Sequence, residues 1–178
     1  MPPIDTLTAD HIGQVGGGFE PQRANNGLLY ISGLAGNEND VITLSLTSFP
    51  LPKSNINPIE IMYLNQTRKF AGKPTYDDLS VVFNDYVDQT TKVVLANWFY
   101  LAHNPLTGKT AFASQYKKNG RMVLYAPDGS GDREWELQGM WISTFDPGDV
   151  DMETDDRVRL TCNIVIDKAL FKPADLAA

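Results

Sequence analysis

The chain has 178 residues, a formal net charge of −7, 42% hydrophobic residues and 21% charged residues. That length supports one domain with a real core and does not require a second, and the proportions are those of an ordinary globular protein. The acidic balance argues against a general nucleic-acid-binding surface, which works by neutralising phosphates with Lys and Arg. Cys162 is the single cysteine, so no intrachain disulfide is possible and nothing points to an oxidising compartment. The opening MPPIDTLTAD has neither a basic segment nor an apolar run, so no signal peptide is expected. No apolar run approaches the roughly 20 residues of a membrane span. The expectation is a soluble protein made in a reducing cytoplasm.

Residues 1–27 read as a flexible N-terminal arm, because Gly13, Gly16-Gly17-Gly18 and Asn25-Asn26-Gly27 weaken regular structure. The Gly triplet lacks the strand, helix and Lys-Ser/Thr ending of a phosphate loop. From Leu28 the pattern turns to strands, beginning with a short apolar run at 28–31 closed by Ser32-Gly33. The 41–49 segment alternates, with Ile42, Leu44 and Leu46 on one face and Val41, Thr43, Ser45 and Thr47 on the other, which predicts a strand. Pro50 and Pro52 stop it, since proline has no backbone N–H to donate. Residues 53–58 read as an exposed polar loop, and 59–64 as the next strand. There Ile59, Ile61 and Tyr63 oppose Glu60, Met62 and Leu64, so both faces are partly apolar, which predicts cover on both sides or a subunit contact.

The 65–86 segment opens with a basic turn at Arg68-Lys69, breaks at Gly72-Lys73-Pro74 and passes the acidic pair Asp77-Asp78. It then enters a half-buried strand in which Leu79, Val81 and Phe83 share a face. Residues 88–102 give the one convincing helix, capped by Asp88, Thr90 or Thr91 and ended by Asn104-Pro105. Its stripe of Val94, Trp98, Leu101 and Ala102, widened by Leu95 and Phe99, reads as core. Residues 120–126 predict a strand, 127–132 a hairpin connection, and 134–142 the returning strand. On that returning strand Trp135, Leu137 and Trp141 oppose Glu134, Glu136 and Gln138, and Gly139 marks a bulge or a close backbone approach. The last strand, 157–167, points Val158, Leu160, Cys162, Ile164 and Ile166 inward.

Candidate chemistry is sparse. The acids of 149–156 alternate as in a calcium loop, but the sixth and twelfth positions hold Thr154 and Leu160 where such a loop needs Gly and a bidentate acid. A solvated acidic loop is the better reading. His11 and His103 have no ligand-spaced neighbours, and Cys162 falls on an inward strand face where an inert thiol is expected. Asp77 and Asp78, adjacent on an extended chain, point to opposite faces and do not form a catalytic pair. No nucleophile elbow or nucleotide-binding glycine pattern is present, so no catalytic, cofactor or metal residues are assigned.

The order of elements and two stretches, RKFAGKPTYDDLSVVFNDY at 68–86 and LQGMWISTFDPGDVDMETDDRVRLTCNIVID at 137–167, resemble the tail tube proteins of contractile-tailed bacteriophages. In that family a basic Arg-Lys element and a Gly-x-x-Thr-(Phe/Tyr)-Asp-Asp segment lead into the strand before the helix. Here they are Arg68-Lys69 and the run from Gly72 through Thr75 and Tyr76 to Asp78. The resemblance covers about residues 28–168 and extends to type VI secretion and other contractile injection tubes. It implies a mainly β fold, a tail-tube-like β-barrel or sandwich (28–168) with one flanking α-helix, a flexible N-terminal arm (1–27) and a C-terminal tail (169–178). It further implies homohexameric rings stacked into a tube inside a contractile sheath, a virion tail component assembled in the host bacterial cytoplasm. The implied partners are further copies of the chain, the sheath protein, baseplate and tail terminator proteins, and passing DNA that is not specifically bound. No cofactor and no membrane binding are implied.

A long hairpin between the 41–49 and 59–64 strands is expected to join the stacking contacts. Lys53, Asn55, Asn57, Arg68, Lys69, Asp77 and Asp78 are the candidate inter-ring or inter-subunit contacts. Thr43, Ser45, Thr47 and Glu60 are the candidates to face the lumen. The rival readings are a baseplate tube initiator or adaptor, or a secreted injection tube, of the same fold. A small ligand-binding or hydrolytic β-barrel would instead need convergent polar groups in a pocket.

Overall fold

A computed structural model describes residues 22–34, 38–87, 91–126, 129, 131–153 and 155–173. Most of the arm expected at 1–27, with His11 and the Gly triplet, lies outside them, as do Asp88, Thr90, most of the 127–130 turn and the end of the C-terminal tail. The elements are β1 (Gly27–Ser32), α1 (Glu38–Ser45), β2 (Leu46–Ser48), β3 (Ser54–Tyr63), β4 (Gln66–Tyr76), β5 (Leu79–Asn84), α2 (Thr91–Ala102), α3 (Ala113–Tyr116), β6 (Lys118–Tyr125), β7 (Gly131–Asp146), β8 (Arg159–Val165) and β9 (Lys168–Pro173). Seven strands form a curled, antiparallel sheet in the order β1-β6-β7-β8-β5-β2, with β9 added beside β7, while β3 and β4 form a separate two-stranded ribbon.

The strands with clean alternation fold as their pattern dictates. On β5, Leu79, Val81 and Phe83 are buried while Ser80 is exposed, and on β8, Leu160, Cys162 and Ile164 are buried. These two strands pair directly, Val81 opposite Cys162 and Leu79 opposite Ile164, so their inward rows meet in one core layer. Leu95 and Trp98 of α2 close over it, and the Trp98 indole N–H donates to the Tyr116 carbonyl at 2.9 Å. Leu101, expected in that stripe, is rotated outward. The first turn of α2 is served by Asp85, whose carboxylate accepts the Lys92 N–H at 3.4 Å.

β7 is the pivot. Residues 133–138 pair with β9 and residues 141–146 with β8, so one strand belongs to two halves of the curl. Between them sits Gly139 with φ 68°, beside a register shift against β6. The extra residue flips the alternation: Leu137 is buried before it, Met140 and Ile142 after it. Trp141 therefore leaves the face of Leu137, where the sequence pattern put it, and packs edge-on against Tyr116 at 5.9 Å. A Cβ at position 139 would strike the Asp167 carboxylate, which is held by Lys117 at 2.6 Å. The sequence left a bulge or a close approach as alternatives at this glycine, and the two occur together.

Five local expectations are corrected. Residues 38–45, overlapping the first half of the expected 41–49 strand, are helical, because Glu38, Asn39 and Asp40 load the first turn with helix-starting groups and Ile42 and Ser45, three apart, share the buried face. Only Leu46–Ser48 is strand, pairing with β5. The 53–58 loop is instead the start of β3, and the basic turn with its Gly-Lys-Pro break is β4, an uninterrupted strand carrying a bulge. The long hairpin is thus β3–β4 and not a connection from 41–49 to 59–64. Finally, the start of the expected 169–178 tail belongs to β9 (Lys168–Pro173), fastened to β7 with the Phe171 ring tilted against Trp135 at 4.7 Å.

Gly139→Ala tests the pivot. A left-handed backbone costs a non-glycine residue about 1–2 kcal/mol, and the Asp167 clash adds to it. The unfolding free energy in urea is expected to fall by at least about 2 kcal/mol. An unchanged midpoint would show that β7 does not turn on this residue.

Candidate assembly surface

The β3–β4 ribbon stands apart from the curled sheet. Ten residues of β3 at about 3.3 Å each give an arm roughly 33 Å long. Every residue of β3 is exposed, and on β4 only Gly72 and Tyr76 are partly covered. Tyr76 packs against the core and anchors the foot. There the Asp77 N–H donates to the Lys53 carbonyl at 3.1 Å and the Asn55 amide donates to the Asp77 carboxylate at 2.9 Å.

Directly opposed residues share a face of a ribbon, so the register assigns the faces. One carries Ile59 opposite Phe70, Ile61 opposite Arg68, and Tyr63 opposite Gln66. The other carries Pro58 opposite Ala71, Glu60 opposite Lys69, and Met62 opposite Thr67. The first joins the apolar Ile59, Ile61 and Phe70, each more than half exposed, to Arg68 and Gln66 nearer the tip. The second holds the Lys69–Glu60 ion pair at 3.0 Å. Pro58 has no N–H, which makes its pair with Ala71 a non-hydrogen-bonded one. By alternation the backbone groups of Glu60, Met62, Thr67 and Lys69 then point to the outer edges. Two further residues shape the arm. Gly72 sits at the bulge, where a Cβ would strike the Asn57 carbonyl. Leu64 at the tip has φ 52°, a strained conformation for a bulky residue, and is 89% exposed.

Of the seven contact candidates from the sequence, Asn55, Asn57, Arg68 and Lys69 lie on the ribbon, Lys53 and Asp77 at its foot, and Asp78 at the entrance to β5. All are exposed. The four lumen candidates do not share a face. Glu60 is on the ribbon and Thr47 on β2, but Thr43 and Ser45 are on α1. Ser45 is completely buried, its hydroxyl donating to the Val41 carbonyl at 2.6 Å, so it faces no channel. The Thr43 hydroxyl donates to the Leu29 carbonyl at 3.4 Å, so it faces the β1 backbone. Sequence reasoning missed Phe70 and the shared apolar face, although the two-sided apolarity of 59–64 was its visible signal.

Among the described residues no group of three or more His, Cys, Asp or Glu side chains could hold a metal ion, and no helix is long and apolar enough to cross a membrane. The acidic loop after β7 and His103 sit outside any such group. Burial pushes the Cys162 thiol up to about 12.

Several solved structures share this architecture. A chain of the cryo-EM structure of the anti-feeding prophage cap, its tube terminating cap, superposes with a TM-score of 0.67 at 13% identity, over 95% of this chain and 99% of that one. The fold is that of a contractile-injection tube protein. A chain of the anti-feeding prophage baseplate gives 0.66 at 9% identity, over 88% and 99%. One from the sheath–tube complex of the extracellular contractile injection system PVC, in its extended state, gives 0.62 at 12%, over 86% and 93%. No family model and no curated protein sequence matches the chain. Within this fold, no described residue outside β3–β4 covers the ribbon.

The Cys162 thiol, neutral and enclosed, is expected to resist a thiol reagent at pH 8 in the folded protein and to react with one equivalent once urea unfolds it. Rapid reaction under native conditions would show that β8 does not face the core.

Proposed function

We propose that this chain is the structural subunit of a phage tail tube, forming hexameric rings that stack into a hollow conduit within a contractile sheath, through which DNA passes into the host. The observation that carries this reading is the exposed β3–β4 ribbon on a tube-protein fold. A two-stranded ribbon with an apolar face is marginal by itself, and no described residue of the chain gives it a second layer. Open backbone edges at Glu60, Met62, Thr67 and Lys69 suit pairing with neighbouring copies, which turns an aggregation hazard into ordered polymerisation.

In this reading the apolar face of Ile59, Ile61 and Phe70 is covered by neighbours, and the face of Glu60 and Lys69 is turned to the wet channel. Their mutual neutralisation and the chain's overall charge of −7 keep affinity for a passing polyanion low. Lys53, Asn55, Asn57, Arg68, Lys69, Asp77 and Asp78 line or flank the assembling arm. The sheath lies outside, a baseplate and a terminator at the two ends, and the product is a virion tail built in the bacterial cytoplasm. A second reading, one ring at a fixed position as initiator or cap, is favoured by the equally good superposition on chains from a cap and from a baseplate. It keeps the same self-contacts within a ring.

Negative-stain electron microscopy at rising protein concentration separates the readings. Tubes of uniform width are expected. Rings that never stack would favour the single-ring role, and a monomer at all concentrations would exclude both. The double variant Arg68→Glu/Lys69→Glu is expected to raise the concentration needed for assembly by tenfold or more while shifting the unfolding free energy by less than about 1 kcal/mol, as exposed charges do. Assembly at the unaltered concentration would remove these residues from the contact.

A further inference from the structure

A second surface, separate from the ribbon, also lacks cover among the described residues. The outward side of α2 carries Val93, Tyr100 and Leu101, each roughly half exposed. Its single charged residue, Lys92, is taken up by Asp85 at 3.4 Å. A helix apolar on all sides is characteristic of a buried one.

The C-terminal end of α2 runs into a preformed, apolar-tipped loop. His103 bridges Thr110, the Asn104 N–H donates to the Lys109 carbonyl at 3.0 Å, and the Gly108 N–H donates to the Asn104 carbonyl at 2.9 Å. The Asn104 side-chain oxygen accepts the Leu106 N–H at 2.9 Å. At the edges of this fixed loop Leu106 is 95% exposed and Phe112 79% exposed. Beside it opens a cleft of about 390 Å³ between α2 and the Gly33-Leu34 turn, lined by Leu34, Trp98, Leu101 and Lys118 among others. A loop already held in one shape loses little freedom on binding.

The opposite end of α2 presents the complementary chemistry. The Asp85 N–H donates to the Val158 carbonyl at 3.2 Å, which places the 147–158 loop at the helix's N-terminal pole. Twelve residues of helix, about 18 Å, separate the two poles. Residues 146–156 contain six acids and no base, and residues 103–118 contain three lysines and no acid. Two acids do lie at the lysine pole: Asp167 is tied to Lys117 at 2.6 Å, and Glu38 lines the cleft. The acidic loop also presents Val150 and Met152, both largely exposed.

We infer that the 147–153 loop of one copy docks on the C-terminal end of α2 in a second copy, with Val150 and Met152 against Leu101 and Leu106 and the acids facing Lys109 and Lys118. Opposite charge sets the pairing and apolar side chains anchor it. Because the two surfaces differ and sit at opposite ends of one helix, the contact is head-to-tail, the kind that propagates into rings or open stacks. It rests on the self-assembly proposed above but uses none of the ribbon.

Full-length Leu106→Cys and Met152→Cys variants test it, the buried Cys162 staying silent. Mixed under assembling conditions with a mild oxidant, they are expected to give a disulfide-linked dimer severalfold above either variant alone. Adding Lys109→Glu to the first or Asp151→Lys to the second lowers that yield, and adding both restores it. Assembly with no excess dimer in the mixture, or no restoration by the paired reversal, overturns the docking while leaving the ribbon reading intact. If no sample assembles, self-assembly fails and the docking falls with it.

Discussion

A two-stranded ribbon gives each strand one pairing partner and, standing alone, no second layer to bury a face against. β3–β4 is such a ribbon, about 33 Å long, carrying Ile59, Ile61 and Phe70 on one face with nothing among the described residues over them. That missing layer is the constraint on which the rest of the structure is best understood. The curled sheet supplies a rigid base, with Tyr76 and the Lys53–Asp77 hydrogen bond fixing the arm to it. Details that look unfavourable in a solitary molecule then acquire a role. Leu64 holds a strained backbone at the tip, where glycine would be more comfortable, and keeps a large apolar side chain at the outermost point.

The base has its own pivot. By inserting one residue at Gly139, β7 changes which of its faces looks inward and passes from pairing with β9 to pairing with β8. The same turn brings Lys117, Asn119 and Asp167 together, since the Asn119 side chain accepts the Gly139 N–H at 3.1 Å and Asp167 sits over the glycine. A single curled sheet results, open enough to leave edges and narrow enough for α2 to cover one side.

How much of this was legible in the sequence depended on whether local pattern and tertiary environment agreed. β5 and β8 alternate because each has one buried face, and their inward rows were readable residue by residue. α1 was not: Ile42 and Leu44, two apart, fit a strand's period, whereas on the helix they fall on opposite sides and Leu44 is exposed, and the acidic first turn was the sign of a helix. Pro58, Pro74 and Gly72 argued against strands at 53–58 and 66–76. In a ribbon made only of edges, though, a proline can turn its ring nitrogen outward and a glycine can serve a bulge. The trailing β9 carries no strong signal because Lys168, Phe171 and Lys172 are exposed and it is held mainly by its pairing with β7. Among the candidate site residues, Lys53, Asn55, Asn57, Arg68, Lys69 and Asp77 lie on the ribbon or at its foot because their polar, charged stretches form its exposed strands. Thr43 and Ser45 were misplaced because the lumen face was inferred from a strand that is a helix.

Hydrogen exchange at the ribbon tests the central claim most directly. The outward N–H groups of Glu60, Met62, Thr67 and Lys69 have no partner strand among the described residues, so in the monomer they should exchange as fast as loop amides. In assembled material the account predicts protection of these four by a factor of 100 or more, with the amides of β5 and β8 unchanged. Equal exchange at the four positions before and after assembly would contradict it, because the ribbon would then remain uncovered in the very state that is meant to complete it.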